Sequence, residues 1–455
     1  MKGEGNMENT VQKPLLQTSL LRMAWPIFIE LLLQMLVGNI DQIMLSHYNE
    51  TAVAAVGNAN QIMTILILTF NVISLASTIL ISQYLGAGDT HSVSQIYTLS
   101  ALVNLLVSLA LSCGLFFLAQ PILQMMKAPA ELWPEATAYL RITALSLPFQ
   151  ALMLTFSAFL RAHARMLIIM LSTGFINLVN IVGNTAFING LGPLPQMGAA
   201  GAALSTTICR IIGMLLLLWA FYRAVPGEKL RASLLRPFPT KLLKRLLGIG
   251  LPSGGEGLSY NLSQAASLVF VNIIGTYAVT TRMYSAMFAQ VCYMLITAVA
   301  QAGQIRVGYC IGARDFDRAV EENRRILRTF LPVTAAIAAV MWLFAGQLYG
   351  LFSADPRVIA LGRQVLLIEI FLEIGRSFNI VLVRNLQAVG DVRFPVLVGI
   401  CSQWIIGVGL CYIFGIVLNW GLPGMWLAFA LDENLRGAIF LVRWKKGDWR
   451  NIKTV

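Results

Sequence analysis

Two carboxylates stand inside a stretch that is otherwise apolar enough to cross a membrane. The stretch PIFIELLLQMLVGNIDQIMLS, residues 26–46, contains Glu30 and Asp41. In an α-helix these two residues lie within about 20° of the same face and about 16 Å apart along the axis, and Gln34 shares that face. An ionisable side chain at membrane depth costs about 2.5–3.5 kcal/mol, so such residues usually mark a route for ions or substrates. For Asp41, the alternative is a position at the outer membrane edge, where water solvates the carboxylate.

Three asparagines in a later apolar segment form a second candidate group. Asn177, Asn180 and Asn184 are spaced by three and four residues, so they share one face of a helix. Their carbonyl oxygens could bind Na⁺, and their amides could hold a carboxylate. The alternative is a set of hydrogen bonds between helices, each contributing about 0.6 kcal/mol on average.

A polar stripe at helical spacing begins the second half of the chain. Glu256 opens it, and Tyr260, Ser263, Gln264 and Ser267 follow. The stripe either lines an inward-facing cleft, with Glu256 attracting cations or acting as a second coupling acid, or it starts with an acid that suits the positive end of a helix dipole.

A charged pair lies in a later apolar segment. Glu373 and Arg376 are adjacent on one helix face, and Glu369 and Asn379 lie at helical spacing on either side. Arg376 either releases Glu373 when Glu373 takes a proton, or forms a static salt bridge that neutralises both groups. An arginine here would also repel a cationic substrate.

The composition predicts a polytopic membrane protein. Of 455 residues, 57% are hydrophobic and 12% are charged, and the mean hydropathy is +0.72, whereas soluble domains carry about 25% charged residues. Spanning backbone must satisfy its own hydrogen bonds and the sequence lacks the alternation of a β-barrel, so we predict an all-α fold. Twelve segments reach the length that a spanning helix needs; they are 19–45, 52–83, 92–120, 134–162, 166–190, 196–222, 246–272, 278–305, 329–352, 358–383, 394–417 and 421–442.

The net charge of +12 follows a topological pattern. Basic residues concentrate in alternate loops, chiefly within 161–165, 223–245, 306–328 and 443–453. The opposite side carries little beyond Lys127, Arg282 and Arg357. Because lysine and arginine mark cytoplasmic loops, we predict that both termini are cytoplasmic. The positive charge is therefore no sign of nucleic-acid binding.

Several classes of protein are disfavoured. The six cysteines are scattered and form no Cys-x-x-Cys pair, so neither a disulfide framework nor a zinc site is expected. The motif Gly-x-x-x-x-Gly-Lys-Ser/Thr is absent, which disfavours ATP-driven transport. We find no metal or nucleophile cluster of an enzyme, and we expect no cofactor apart from a coupling ion. Residues 1–18 hold no signal-peptide core, so we expect the first apolar segment to direct insertion.

The chain repeats itself at an offset of 226 residues. Three matches share this offset: Pro-x-x-x-Glu at 26–30 and 252–256, GAGD at 86–89 and GARD at 312–315, and LRAHAR from 160 and LQAVGD from 386. Together they indicate a duplication. Six spans per repeat keep both copies in one orientation. We predict six-helix bundles at 1–225 and 246–455, joined by a basic cytoplasmic linker at 226–245, and we expect the aspartates of GAGD and GARD to cap the helices that follow.

The chain resembles the MATE (multidrug and toxin extrusion) transporters over nearly its whole length. The motifs that carry the resemblance are GNIDQIMLS, SQYLGAGD, FINLVNIVGN, GLPSGGEGLSYN and LQAVGDVRFP. The resemblance implies two bundles that form a V-shaped cleft, and export of cationic, often aromatic compounds driven by Na⁺ or H⁺. It also implies a functional acid at Asp41, beside the asparagines of the fifth segment.

The chain departs from the family pattern at three positions. One branch of the family has an aspartate where this chain has Asn184. Another branch has an aspartate where Arg376 stands, and a glutamate where Tyr260 stands, about one turn after Glu256. The ion site of that second branch is therefore not carried over to this chain.

These observations give two groups of candidate site residues. The predicted cation-coupling site consists of Asp41, Asn177, Asn180 and Asn184, with Asp41 and Asn180 as candidate ligands of Na⁺. The predicted cleft-lining residues, or second coupling site, are Glu30, Gln34, Glu256, Tyr260, Gln264, Glu373 and Arg376.

The predicted function is secondary antiport, in which cationic amphiphilic drugs or toxins leave in exchange for Na⁺ or H⁺ by alternating access. We expect a monomer in the bacterial cytoplasmic (inner) membrane, with lipid and small cationic substrates as partners. The alternative is a flippase for lipid-linked precursors. A flippase needs several cations at membrane depth to hold pyrophosphate, and only Arg376 and Arg282 are candidates, so it ranks second.

Overall fold

The computed structural model describes residues 19–190, 195–225, 227 and 229–452, and within them the chain is helical without a β-strand. Residues 1–18 and both predicted cytoplasmic termini lie outside the described residues. The all-α prediction is confirmed. The helices are α1 (Leu20–Ser46), α2 (Glu50–Gly86), α3 (Thr90–Met125), α4 (Trp133–Leu145), α5 (Leu147–Ala162), α6 (Met166–Asn189), α7 (Gly198–Ala224), α8 (Thr240–Ile274), α9 (Thr276–Gly312), α10 (Phe316–Leu343), α11 (Ala345–Gly350), α12 (Pro356–Ala388), α13 (Arg393–Val417) and α14 (Gly421–Lys446).

The helices follow the twelve predicted segments, two of which are broken. Residues 134–162 form α4 and α5, which are bent by 48° relative to each other. Pro148 lies in the first turn of α5, and its ring lacks the N–H that would continue the hydrogen bonding of α4. The segment 329–352 forms the end of α10 and the short α11. Helix α10 begins at Phe316, before the predicted segment. Its first turns are charged, so their low hydropathy excluded them from that segment, although they are helical.

Three helices are less apolar than the others. Eight of the described helices are long and apolar enough to cross a membrane, and α4 with α5 makes a ninth. Helices α8, α12 and α14 contain predicted segments but are not in this set. Helices α12 and α14 carry charged residues in the middle of those segments. The same helices line the cavity described below.

Three arginines that were counted with the loops in the charge pattern lie inside helices. Arg161 is in the last turn of α5, and Arg282 and Arg306 are both in α9. Arg306 is buried, and its Nε donates to a carboxylate oxygen of Glu322 in α10 at 2.9 Å. Arg161 and Arg282 fall within the predicted segments 134–162 and 278–305. Only Arg306 lies beyond its predicted segment, because α9 continues to Gly312.

The two Gly-rich turns begin helices as predicted. Asp89 and Asp315 are the N-caps of α3 and α10, and each accepts a hydrogen bond from the backbone N–H three residues later, at 2.9 and 3.1 Å. The residue before each cap has a left-handed backbone, with φ of 75° at Gly88 and 58° at Arg314. The duplication is therefore visible in local backbone geometry as well as in sequence.

The chain folds into two compact units. The N-terminal unit comprises Ile29–Tyr84 and Asp89–Gly250. The C-terminal unit comprises the described residues from Leu251 onward, together with Leu85–Gly88 and residues 19–28. The predicted division into bundles and a linker at 226–245 stays a prediction.

Small side chains build the core of the N-terminal unit. Ala52, Ala55 and Ala59 of α2, with Ala199 and Ala203 of α7, are at most 2% exposed. Small residues let helix backbones approach closely, and interfaces between membrane helices are rich in them. In the C-terminal unit, α12 is the central helix and packs against α9, α10 and α14.

Large apolar side chains remain exposed on many helices. Phe117 in α3, Val182 in α6, Phe371 in α12 and Ile405 in α13 are 65–75% exposed. Exposed apolar surface of this kind is typical of helices that face lipid.

Candidate ion and substrate sites

The N-terminal unit holds a carboxylate against two amides. Asn184 Nδ2 donates to Asp41 Oδ1 at 2.6 Å, and the same nitrogen lies 3.3 Å from Asn180 Oδ1. Asn180 and Asn184 are buried, whereas Asp41 is half-buried. The Oδ1 atom of Asn184 is buried and finds no hydrogen-bond partner in the described part of the chain. The structure thus brings a carboxylate, a satisfied amide and an unsatisfied amide oxygen into one small site.

Helix α7 packs against the part of α6 that carries the two amides of this site. Asn180 and Asn184 lie one turn apart on α6, and Gly183 stands between them. A Cβ atom at Gly183 would lie 2.5 Å from Ser205 Oγ of α7. The Ser205 hydroxyl in turn donates to the carbonyl of Asn180 at 3.2 Å. The glycine therefore lets α7 approach the turn that carries the two amides.

Asn177 makes a different contact from the other two asparagines. Its Nδ2 donates to the backbone carbonyl of Leu33 in α1 at 2.9 Å. This is the hydrogen bond between helices that was weighed as the alternative for the asparagine group. The structure joins Asn180 and Asn184 to Asp41, and a coupling role for Asn177 stays a prediction.

Glu30 is buried in an ion pair. Its Oε1 atom accepts hydrogen bonds from Arg161 Nη2 at 3.1 Å and from Gln34 Nε2 at 3.3 Å. Glu30 is only 5% exposed, so in this structure it does not line an open cleft. Sequence spacing indicated the contact with Gln34, but the partner Arg161 is 131 residues away and could not be read from spacing.

The C-terminal unit contains a cavity of about 290 Å³ among α8, α9, α12, α13 and α14. Two wide π-helical stretches interrupt α13, and the first of them, Gln403–Val408, forms part of the cavity wall. The polar lining residues are Tyr260, Ser263, Gln264, Ser267, Arg282, Gln290, Arg376, Gln403, Asp432, Glu433 and Arg436, and the larger apolar ones are Tyr293, Leu372, Val408, Trp426 and Phe429.

Two clusters of charged side chains adjoin this cavity. The first contains two predicted site residues, Glu373 and Arg376. Arg376 Nη1 binds Glu373, three residues earlier, and also Glu369 Oε1 at 3.1 Å. Trp426 Nε1 donates to the other oxygen of Glu369 at 2.5 Å. Glu373 Oε2 is buried and has no hydrogen-bond partner among the described residues. Arg376 is therefore held by two carboxylates, only one of which was predicted as its partner.

The second cluster was not predicted. In α14, Arg436 Nη2 binds Asp432 Oδ2 at 2.7 Å and Glu433 Oε1 at 2.9 Å. Asn379 Nδ2 of α12 donates to Glu433 Oε2 at 2.6 Å. The sequence signal was present, because two acids and an arginine at helical spacing interrupt the apolar segment 421–442. That segment was treated as an ordinary span.

The two clusters together carry more acid than base. Four carboxylates face two guanidinium groups, so full ionisation would leave two negative charges in a place of restricted hydration. Charges that are buried without a partner are costly, and a proton or a monovalent cation relieves that cost. Of these four acids, Asp432 and Glu433 line the cavity, whereas Glu369 and Glu373 are not among its lining residues. Arg282 adds a third guanidinium to the lining, so the cavity presents charged groups of both signs.

Glu256 and Arg282 stand apart from these clusters. Glu256 is half-buried against α13, where a Cβ atom at Gly399 would lie 2.9 Å from its Oε1. It is not among the cavity-lining residues, although Tyr260 and Gln264 of the same predicted stripe are. Arg282 Nη2 donates to the carbonyl and to Oε1 of Gln264, both at 3.2 Å. Arg282 thus lies at the cavity, and it is one of the two arginines that were candidates for a place at membrane depth.

Comparisons with known proteins agree with this architecture. The family model MatE matches residues 26–186 and 252–413, one match in each half of the chain. The uncharacterized transporter YisQ of Bacillus subtilis is 39% identical over 442 residues, which cover 96% of this chain and 96% of YisQ. The probable multidrug resistance protein NorM of Thermotoga maritima is 25% identical and covers 96% of this chain and 94% of its own length. The multidrug resistance protein MdtK of Pectobacterium atrosepticum is 27% identical, covering 92% and 93%.

Solved structures share the fold at low sequence identity. A MATE family transporter in an outward-facing conformation superimposes with a TM-score of 0.87 at 20% identity, over 98% of this chain and 99% of that one. A MOP superfamily transporter from Pyrococcus furiosus gives a TM-score of 0.86 at 20% identity, over 97% and 99%.

These similarities fix the class of protein. The twelve-helix, two-lobe prediction is confirmed by the match to transporters of that fold. The apolar helices and the bacterial relatives identify a multi-pass protein of the bacterial inner membrane. Because the MatE model covers most of the chain and YisQ is similar from end to end, this chain belongs to the MATE family of membrane transporters.

Proposed function

We propose that this transporter is a secondary antiporter that exports cationic amphiphilic compounds in exchange for Na⁺ or H⁺. The observation that carries the proposal is the hydrogen bond of 2.6 Å between Asn184 and Asp41, beside the buried, unsatisfied oxygen of the same amide. A carboxylate with amide oxygens in reach is a site that can change its occupancy by one positive charge. The names of NorM and MdtK as multidrug resistance proteins support drug-like compounds as cargo.

The contact between Asp41 and Asn184 would depend on that occupancy. An ionised Asp41 accepts the Asn184 N–H, as observed. A protonated Asp41, or one that binds Na⁺, prefers the carbonyl end of an amide, since an O–H donates and a metal ion needs oxygen. Protonation of Asp41, or Na⁺ binding to it, would therefore rotate the side-chain amide of Asn184. This rotation would change the hydrogen bond that joins α6 to α1.

Export follows if ion and substrate stabilise different states. A ligand shifts a conformational equilibrium only by its differential affinity for the two states. Ion binding at Asp41 and Asn180 would favour one state and substrate binding the other, so that each ligand releases the other. The carboxylates of Asp432 and Glu433 and the aromatic rings that line the cavity would contact a cationic aromatic substrate.

The direct test is gradient-driven export from proteoliposomes that contain the full chain. Ethidium export is measured under a Na⁺ gradient with the pH gradient collapsed, and then under a pH gradient without Na⁺. Export under one gradient identifies the ion, whereas no export under either gradient contradicts antiport.

Two aspartate variants sharpen this test. Asp41→Asn removes the charge and retains the shape, so it is expected to abolish gradient-driven export at normal expression. Asp355→Asn is the matched control, because Asp355 caps α12 and pairs with the exposed Arg357 at 2.8 Å, away from both candidate sites. Unchanged export by Asp41→Asn would remove Asp41 from coupling.

One observation favours the flippase alternative, and another disfavours it. Three arginines line the cavity, Arg282, Arg376 and Arg436, where at most two were expected at membrane depth. Two of the three are held by four carboxylates that would repel a pyrophosphate. The flippase therefore remains second, and accumulation of a lipid-linked precursor on depletion of the protein would favour it.

A further inference from the structure

A pocket with both apolar and charged walls lies where α14 ends, beside the beginning of α13. Its volume is about 340 Å³, and the described residues that line it are separate from those of the cavity above. Phe394 of α13 and Val442 of α14 supply apolar surface, and Arg443, Lys446 and Asp448 supply charge. The pattern of basic residues predicts that this end of the helices is cytoplasmic, so we expect the pocket at the membrane surface.

The charged side of the pocket offers hydrogen-bond donors that the described structure does not use. Arg443 binds Asp391 through Nε at 2.8 Å and Asp448 through Nη1 at 2.7 Å, and its guanidinium carbon lies 4.8 Å from the centre of the Phe394 ring. These contacts fix the guanidinium and leave Nη2 without a described partner. Lys446 is exposed and has neither a hydrogen bond nor an ion pair among the described residues. Two cations and one acid thus give the pocket lining a net charge of +1.

Exposed apolar surface continues from the pocket along both helices. Leu397 lies about one turn after Phe394 in α13, and Leu435 lies about one turn before Ala438 in α14. Leu397, Leu435 and Val442 are exposed, and the two helices pack beside each other. Residues at this spacing share a helix face, so the apolar surface extends from the charged pocket toward the middle of both spans.

This combination matches a phospholipid with an anionic headgroup. The phosphate would contact the two cations, and the acyl chains would cover the apolar surface. Basic pockets between membrane helices on the cytoplasmic side are known places for anionic headgroups. A lining with a net charge of +1 complements a headgroup with one negative charge better than a zwitterionic headgroup, which carries no net charge. A free phosphate ion would leave the apolar surface uncovered.

We propose that this pocket binds a phospholipid of the phosphatidylglycerol type, with its phosphate between Arg443 and Lys446 and its acyl chains along Leu397 and Leu435. The glycerol hydroxyls of the headgroup can donate to Asp448, whose Oδ1 atom has no partner in the described structure. The bound lipid would hold the end of α14 against the beginning of α13. This site is independent of the proposed coupling at Asp41.

Competition between two lipids tests the assignment. The full-length protein is purified, freed of lipid in detergent, and mixed with equal amounts of phosphatidylglycerol and phosphatidylethanolamine that have identical acyl chains. Native mass spectrometry then measures how much of each lipid the protein retains. We expect about fivefold more phosphatidylglycerol, because one basic residue near the membrane surface contributes about that factor in affinity for an anionic lipid. Equal retention, or a preference for phosphatidylethanolamine, would overturn the proposal.

Two pairs of variants locate the site. Lys446→Gln is expected to remove the preference for phosphatidylglycerol, a change of about fivefold. Lys445→Gln is its control, because Lys445 is exposed and is not among the described lining residues. Ala438→Phe fills the apolar part of the pocket and should lower retention of phosphatidylglycerol, whereas Ala110→Phe in α3 should not. All four positions are exposed, so we expect each variant to fold. Equal retention by each variant and its control would overturn the site.

A soluble anion separates a lipid site from a phosphate site. Inorganic phosphate carries the charge of the headgroup without acyl chains, so an excess of it should not displace phosphatidylglycerol from the unmodified protein. Displacement by inorganic phosphate would show that the pocket recognises the phosphate alone, and it would overturn the lipid assignment.

Discussion

Arg161 donates a hydrogen bond of 3.1 Å to Glu30, and the position equivalent to Arg161 in the second repeat is Gln387. The two acids Glu30 and Glu256 are matched in sequence, but only Glu30 has an ion-pair partner in the described structure. Gln387 instead donates to Ser253 Oγ at 3.3 Å. The duplicated halves have therefore diverged at the acid that begins each repeat.

Removal of the arginine should expose the cost of a buried, unpaired acid. Arg161→Gln is expected to lower the free energy of unfolding by about 3 kcal/mol, because Glu30 is nine-tenths buried or more and would lose its ion-pair partner. The measurement is the thermal unfolding midpoint in detergent. The double variant Glu30→Gln with Arg161→Gln should recover most of the loss, and an unchanged midpoint in the single variant would contradict the account.

The duplicated turns allow a reciprocal test of backbone strain. Ala164 and Gly390 are equivalent positions, and both have a left-handed backbone, with φ of 55° and 85°. This conformation costs a non-glycine residue about 1–2 kcal/mol, while glycine gains about 0.5–1 kcal/mol of chain entropy on unfolding. Ala164→Gly should therefore stabilise the protein, and Gly390→Ala should destabilise it, each by about 0.5–1 kcal/mol. Shifts of the same sign in both variants would show that the turns are not equivalent.

A buried histidine predicts loss of stability in mild acid. His163 follows α5, and Tyr97 Oη lies 2.5 Å from its Nε2, which accepts the hydroxyl proton when the ring is neutral. Burial lowers the pKa of His163 from 6.5 to about 4, and Arg165 contributes by repulsion. Between these values the unfolded chain binds the proton and the folded chain does not, so this group lowers stability as the pH falls below about 6.5 and has no effect above it.

The size of this pH effect can be measured by difference. At pH 5 the contribution of His163 is about 2 kcal/mol. The unfolding midpoint of the unmodified protein is compared with that of His163→Gln at pH 7.5 and pH 5, and His91→Gln, which changes an exposed histidine, is the control. The unmodified protein should lose more stability than His163→Gln, and parallel curves would refute the prediction.

The acid cluster in α14 should govern affinity for cations. Glu433→Gln is expected to weaken binding of the cationic dye rhodamine 123, measured by fluorescence anisotropy in detergent, about tenfold at low salt, and less at high salt, because a negative charge is removed from the cavity wall. Glu321→Gln, at a side chain that is 66% exposed, is the matched control. Equal affinities of Glu433→Gln and the control would show that the cluster does not attract the substrate.

Local signals in the sequence predicted the helices, their caps and the charged pair in α12. Apolar length marked the spans, and Asp89 followed a Gly turn as N-caps often do. Glu373 and Arg376 were adjacent because helical spacing alone brings them together. Each of these relationships involves residues within a few positions of each other.

Relationships between distant helices could not be predicted in the same way. The pairing of Glu30 with Arg161 and the position of Arg282 depend on how α5 and α9 pack, which spacing does not specify. Asp432 and Glu433 were missed for another reason: they interrupt an apolar segment, and the segment was assigned by its mean hydropathy. The resemblance to a family predicted that Asp41 lies beside the asparagines. The structure adds the hydrogen bond between Asp41 and Asn184.

The central claim is that ion and substrate compete, and ion release on substrate binding tests it most directly. Ethidium is added to purified protein in weakly buffered detergent solution, and released H⁺ and Na⁺ are followed with a pH indicator and a Na⁺-selective electrode. The account predicts that ethidium binding releases one of these ions from the unmodified protein and that Asp41→Asn binds ethidium without releasing it. Ethidium binding that releases neither ion from the unmodified protein, or equal release from Asp41→Asn, would contradict the account.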